Sequence, residues 1–220
     1  MYATTRRDDL MSAVLSITGL TTATDTGSLN YDGITKSTKP ALTGTYDGGS
    51  GTTIQLYYID GTGATKVIGS GTVSATGTWT ITSTTALTAG TYDIFARTSD
   101  SSTISAEAYP VKIDLSAAAP TVSLTTDTYG VISFDGSDTA VGTSSDLITK
   151  STLPTVSGTG EVGATVTLYK GSVVMGTATV GSDGTWTTAL TTALASGVNT
   201  LTAKQVDLAG NTSGAATLKV

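Results

Sequence analysis

Residues 32–40 read Asp32-Gly33-Ile34-Thr35-Lys36-Ser37-Thr38-Lys39-Pro40, and residues 146–154 read Asp146-Leu147-Ile148-Thr149-Lys150-Ser151-Thr152-Leu153-Pro154. Seven of the nine positions are identical, at an offset of 114 residues. Self-similarity at a domain-sized spacing is the mark of a repeated architecture. Further landmarks recur downstream in the same order: Trp79 with Trp186, Gly90 with Gly197 and Asp100 with Asp207, all at an offset of 107. The second copy is therefore about seven residues shorter between the proline and the tryptophan. The chain reads as one module used twice. Residues 1–11 form an N-terminal extension, 12–114 module 1 and 115–220 module 2, each of ordinary domain size.

Composition narrows what such a module does. There is no cysteine and no histidine. That excludes disulfides, thiolate zinc sites and cysteine nucleophiles, and it removes the commonest general base. Charged residues make up 13% of the chain, about half the usual ~25%. Thr, Gly, Ser and Ala take their place, a composition of strands and turns. The net charge of −6 argues against nucleic acid, which needs basic patches. Glu107 and Glu161 are the two glutamates among 17 acidic residues. Aspartate favours turns, caps and hard-cation sites over exposed helices. No apolar run reaches the ~18 residues of a membrane span. Residues 1–20 lack the pattern of a cleavable signal peptide. Either export leaves the N-terminus intact, or the sequence is a piece of a longer chain.

Alternating apolar residues predict strands over Ser12–Gly19, Ala41–Tyr46, Thr52–Asp60, Val67–Val73, Gly77–Ile81, Thr91–Thr98 and Ala108–Ile113 in module 1. Asp60-Gly61 and Asp183-Gly184 mark turns. Pro120 fixes an extended entry into module 2, where Thr121–Thr126 repeats the first strand and Ala215–Val220 is the last. Asp127 to Asp146 is an insertion relative to module 1, and Val131–Phe134 suggests a small extra hairpin there. Seven short strands per ~100 residues, with frequent turn signals and no 3.6-residue period, predict an all-β fold: two tandem Ig-like Greek-key β-sandwiches joined end to end.

The order Asp-Thr-Gly (Asp25), Asp-x-Ile-Thr (Asp32, Asp146), Pro, Gly-Thr-Trp (Trp79, Trp186), Leu-x-x-Gly and Asp-x-Ala-Gly-Asn-x-Ser (Asp207, Asn211) resembles the bacterial Ig-like repeats of giant surface adhesins, many of them exported by type I secretion. The resemblance spans about residues 12–220. It implies seven-stranded sandwiches strung end to end, with Ca²⁺ at or near the junctions. Module 1 departs from the pattern at Ser99-Asp100-Ser101-Ser102, where module 2 has Asp207-Leu208-Ala209-Gly210-Asn211.

Loop aspartates without nearby His or Cys suit Ca²⁺, which takes about 6–8 oxygen ligands. In an Ig-like sandwich the first interstrand loop lies at the pole where the chain leaves. Asp25 and Asp32 are then expected near the linker residue Asp114, with Asp207 and Asn211 approaching from module 2. By the same logic Asp9 and Asp100 form an upper site, and Asp127 and Asp146 a site at the far pole. The competing expectation is ordinary turn chemistry, in which each Asp accepts local backbone N–H bonds. Trp79 and Trp186 are either sugar-stacking platforms or core residues, and their repetition favours packing.

These residues point first to spacer modules of an extracellular adhesin on a bacterial surface, of the kind found in biofilms. Neighbouring repeats would be the partners and Ca²⁺ would stiffen the joints. A carbohydrate- or protein-binding module using the 127–146 loop is a second class, with host or surface glycans as partners. A self-assembling subunit of an extracellular fibre or sheath is a third. The chain carries no catalytic constellation that points to an enzyme.

Overall fold

The computed structural model describes residues 12–125, 130–134, 137–141 and 147–220. Among these there is no helix. The chain divides into two compact units at the Asp114–Leu115 bond.

Module 1 contains β1 (Leu15–Leu20), β2 (Ile34–Thr35), β3 (Ala41–Tyr46), β4 (Thr53–Ile59), β5 (Thr65–Thr72), β6 (Thr78–Thr82), β7 (Gly90–Thr98) and β8 (Tyr109–Ile113). One sheet has the order β1-β3-β6 and the facing sheet β2-β8-β7-β4-β5. The chain crosses between the sheets after β1, β2, β3, β5 and β6, which is Greek-key wiring. Every pairing is antiparallel except that of β2 with β8, where Ile34 lies opposite Lys112 and Thr35 opposite Ile113 in parallel register. β2 is the middle of the repeated motif itself, a strand that alternation over so short a stretch does not reveal.

The strands form where alternation places one face in the core. Ile54, Leu56, Ile94, Ala96, Val111 and Ile113 are buried from one sheet, and Leu15, Leu42, Trp79 and Ile81 from the other. Each large aliphatic side chain so buried contributes about 1.5–3 kcal/mol. Tyr57 points to the opposite face of β4 yet is only 8% exposed. It stacks on Phe95 at 5.6 Å and lies beneath the Arg97 guanidinium at 4.9 Å. Tyr58 points inward and meets Tyr92 edge-on at 5.0 Å.

Module 2 repeats the plan. β9 (Ser123–Leu124), β12 (Thr155–Thr159) and β15 (Thr185–Ala189) form one sheet. β13 (Thr165–Lys170), β14 (Val173–Thr179), β16 (Thr200–Val206) and β17 (Ala216–Lys219) form the other, in the order β14-β13-β16-β17. The insertion carries a separate hairpin of β10 (Gly130–Phe134) and β11 (Ser137–Val141). No strand forms at Ile148–Thr149, the repeat of β2.

The two tryptophans are core residues, 2% and 3% exposed. Each lies against a glycine of the neighbouring strand, Trp79 on Gly44 and Trp186 on Gly158. Outer faces are bound by hydroxyl pairs across the strands, Ser16 with Thr45 and Thr121 with Thr159, both at 2.8 Å. Such pairs contribute a few tenths to about 1 kcal/mol each.

Candidate functional site: an acidic pole in module 1

After β1 the chain turns at Thr21, whose carbonyl accepts the amides of Thr24 and Asp25 at 2.9 and 2.8 Å. Thr24 is tied to β3, its hydroxyl accepting the Ala41 amide at 3.0 Å. The turn is therefore anchored, and Asp25 is held inward with 5% exposure. Neither carboxylate oxygen of Asp25 has a hydrogen-bond partner. Asp32 arrives from the start of the repeated motif. Its Oδ1 accepts the Ile34 amide at 2.9 Å, while its buried Oδ2 has no partner. Burial raises the Asp25 pKa above 3.8, and the negative charge of Asp32 raises it further. The Gly33 amide nearby offsets this only in part.

Three buried carboxylate oxygens without donors are unusual, because such groups cost about 1–3 kcal/mol each when unsatisfied, more when charged. Gly33 sits at φ +73°, and a Cβ there would stand 2.7 Å from the Pro110 carbonyl oxygen. That close approach lets the Gly33 carbonyl accept the Lys112 amide, and the Thr35 carbonyl accept the Asp114 amide, both at 2.9 Å. The hydroxyl end of Tyr109 lies over Gly19 and Gly33. Burial raises the Tyr109 pKa, and the charges of Asp25 and then Asp32 add to it. The phenol therefore stays neutral at physiological pH.

The remaining acidic residues named from sequence behave differently. Asp100 Oδ1 accepts the Ser102 amide at 3.0 Å and the hydroxyls of Thr98 and Ser102 at 2.5 and 2.8 Å. Those bonds, the Thr98 hydroxyl foremost, lower its pKa to about 2. Asp207 and Asn211 do come together, but on each other: the Asn211 amide donates to Asp207 Oδ1 and the Asn211 Nδ2 to Oδ2, both at 2.8 Å. Asp114 forms an ion pair with Lys112 at 2.9 Å. Asp9, Asp127 and Asp146 lie outside the described residues. No group of three acidic side chains comes within metal-holding range among the described residues. The open site is thus the Asp25–Asp32 pair. Tyr109 and Gly33, which frame it, carry no sequence signal beyond the Asp-Gly dipeptide.

Hard cations fit this arrangement. Three unsatisfied anionic oxygens in a buried pole, with no nitrogen or sulfur ligand, match the preferences of Ca²⁺. Two carboxylates cannot complete its shell, so backbone carbonyls and water would supply the rest.

The comparisons with known proteins agree across both halves. The family model described as the bacterial Ig-like domain matches residues 12–115 and again residues 122–220. Among solved structures, a tetra-tandem repeat from the extending region of a large adhesion protein is 20% identical, with a TM-score of 0.36. The alignment covers 95% of this chain and 49% of that one. The BSP domain of a biofilm-associated protein is 18% identical, TM-score 0.32, covering 94% and 29%. The fibronectin(III)-like modules of Clostridium thermocellum CbhA are 15% identical, TM-score 0.40, covering 94% and 92%. The chain thus spans about half the length of the first of these and under a third of the second. No curated protein sequence matches it. No helix among the described residues is long and apolar enough to cross a membrane.

Proposed function

Because the chain belongs to the bacterial Ig-like domain family in both of its halves, we propose that it provides spacer modules of an extracellular bacterial adhesin. The modules hold a binding tip away from the cell surface, with neighbouring repeats as partners. The role is mechanical rather than catalytic, and Ca²⁺ stiffens it. The observation that carries the calcium reading is Asp25, buried with both oxygens unpartnered and facing the charge of Asp32.

Asp25 and Asp32 Oδ2 supply the first oxygens of the site. Loading it removes the repulsion between the two carboxylates and fixes the start of β2. β2 is zipped to β8 through the Gly33–Lys112 and Thr35–Asp114 bonds, and β8 runs directly into the linker at Asp114. A cation at Asp25 and Asp32 therefore acts on the root of the linker, where Asp114 is paired with Lys112. A bridge that also used Asp207 and Asn211 would cost the two bonds between them, so the reading rests on the module 1 pair. Asp127 and Asp146 repeat this pair in sequence, and module 2 would hold its own cation through them. Asp9 and Asp100 form the weakest of the sites, because the Asp100 loop is already closed on itself.

The test is thermal melting with small-angle scattering, in EDTA and then with titrated Ca²⁺. A ligand at 100 times its dissociation constant adds about 2.7 kcal/mol. The expected result is a higher melting temperature and a longer, straighter particle with Ca²⁺. Unchanged melting and shape would leave the buried aspartates without a cation and sink the calcium reading.

A further inference from the structure

The outer face of the larger sheet in module 1 carries a cluster that the core does not use. Alternation along β4 and β7 turns Ile54, Leu56, Ile94 and Ala96 inward, so Gln55, Tyr57, Phe95 and Arg97 stand outward. The register sets them in two rows, Gln55 opposite Arg97 and Tyr57 opposite Phe95. Phe95 and the Arg97 guanidinium both rest on the Tyr57 ring, at 5.6 and 4.9 Å from its centre. Arg97 Nε donates to Gln55 Oε1 at 3.1 Å. The guanidinium is therefore held in place from two sides. Among the described residues its Nη groups have no acceptor and no carboxylate pairs with it. Phe95 and Arg97 are half-buried, and Val67 and Ile59 border them at 44% and 56% exposure.

Module 2 has the same frame with different side chains. Its register sets Thr167 opposite Lys204 and Tyr169 opposite Thr202. Both modules shift register directly after the leucine that precedes this tyrosine, Leu56 and Leu168. Gln55, Phe95 and Arg97 are thus replaced by Thr167, Thr202 and Lys204 on an equivalent sheet. The sandwich forms with either set, so its packing does not demand the second ring or the guanidinium. An Arg held on an aromatic face with its fork free is suited to two-point recognition of a carboxylate, which an ammonium does not reproduce.

We propose that this face of module 1 binds an acidic polysaccharide, with Phe95 against the C–H face of a uronate ring and Arg97 holding its carboxylate. Successive outward residues of a strand stand about 7 Å apart, a span that fits a pyranose ring and the carboxylate at its rim. Tyr57 and Gln55 position the guanidinium. Asp93, the outward residue on the other side of Phe95, is exposed, and its charge turns the uronate carboxylate towards Arg97. β4 lies between β7 and β5, so its main chain is engaged on both sides and the face offers side chains only. A peptide read as an added strand needs a free edge, whereas a sugar ring is read by stacking and charge. Each contact is weak alone, and a repeating polymer multiplies it.

The test uses the whole chain in EDTA, so that it is independent of the calcium reading. Hexagalacturonate is titrated and followed by NMR of the backbone amides and the Arg97 Nε–H. Saturable shifts at Gln55, Phe95 and Arg97, with none at Thr167, Thr202 and Lys204, are expected. Maltohexaose, which lacks carboxylates, should cause none of them, and hexa-aspartate, which lacks rings, should bind at least about tenfold more weakly. Arg97→Lys and Phe95→Thr give module 1 the residues that module 2 carries, so both variants should stay folded in a control melt. Arg97→Lys should weaken hexagalacturonate binding at least about tenfold, and Phe95→Thr at least about threefold. Maltohexaose or hexa-aspartate binding as tightly as the uronate would overturn the proposal, the second by assigning the face to an acidic peptide. So would shifts spread over both modules, unchanged affinity in Arg97→Lys, or no shift at concentrations up to about 10 mM.

Discussion

Gly33 and Leu147 hold the same place in the two repeats and the same left-handed backbone conformation, φ +73° and +64°, although only one of them lacks a side chain. At Gly33 the absence is structural: a Cβ would stand 2.7 Å from the Pro110 carbonyl oxygen. A residue with a side chain in this conformation costs about 1–2 kcal/mol before any clash. Module 1 zips β2 to β8 across this glycine, with the Gly33 carbonyl accepting the Lys112 amide. Gly33→Ala should destabilise module 1 by about 1–3 kcal/mol. It should also remove the hydrogen-exchange protection of the Lys112 and Asp114 amides. Protection unchanged at Lys112 would refute the steric account.

Asp25→Asn separates a cation site from a structural aspartate. The substitution is nearly isosteric and removes a buried charge that faces Asp32. Without metal, module 1 should melt higher, by on the order of 1 kcal/mol, and its response to Ca²⁺ should disappear. Asp100→Ala is the contrasting variant. It breaks the bonds that close the Thr98–Ser102 loop, so it should lower the melting temperature and leave most of the Ca²⁺ response in place, because Asp9 and Asp100 are the weakest of the proposed sites. A calcium response that survives Asp25→Asn would move the site elsewhere.

The same contrast fixes the sign of the pH dependence. The folded pKa of Asp25 lies above 3.8. Its contribution to stability is fully present below about 3.8 and is lost as pH rises through the raised folded value. Asp60 and Asp100 are held at about 2 by their loop hydrogen bonds. Their contribution is present above about 3.8 and is lost as pH falls towards 2. A carboxyl NMR titration in EDTA should find Asp25 titrating last of the three on acidification's reverse, at the highest pH. Calcium affinity should fall as pH drops through the Asp25 midpoint, because proton and cation compete for the same oxygens. Asp25 titrating together with Asp100 would contradict the effect of burial.

The fold was legible because alternation and repetition agree. β3 lies where Ala41–Tyr46 was expected, β4 within Thr52–Asp60, and the insertion carries the hairpin signalled by Val131–Phe134. β2 was not legible, since two residues have no period and the pairing that makes them a strand comes from a segment nearly eighty residues away. Among the aspartates, a local pattern separates the two kinds. Asp60, Asp100 and Asp183 are each followed two residues later by Thr62, Ser102 and Thr185, whose hydroxyls close on the carboxylate. Asp25 and Asp32 are followed at that position by Gly27 and Ile34, which offer no hydroxyl. That difference is readable from sequence. The burial that isolates Asp25 is not, because it depends on Thr24 being tied to Ala41 and on Tyr109 reaching across from β8.

The tryptophans yield the last prediction. Gly44 lies under the Trp79 ring, and a Cβ there would meet both the ring and the Ser16 carbonyl oxygen. Gly158 stands in the same relation to Trp186 and to the Thr121 carbonyl oxygen. Each glycine therefore lets the first strand and the tryptophan close on the middle strand of the smaller sheet. Extra atoms in a packed core cost about 1–3 kcal/mol. Gly44→Ala should exact at least that from module 1 alone, and Gly158→Ala from module 2 alone, as two separately shifted melting transitions. Glycans added to the unmodified protein should leave tryptophan fluorescence unchanged, because rings 2% and 3% exposed offer no face for a sugar to stack on. A saturable fluorescence change on adding an oligosaccharide would show that a ring can be uncovered, and would return the stacking role to Trp79 or Trp186.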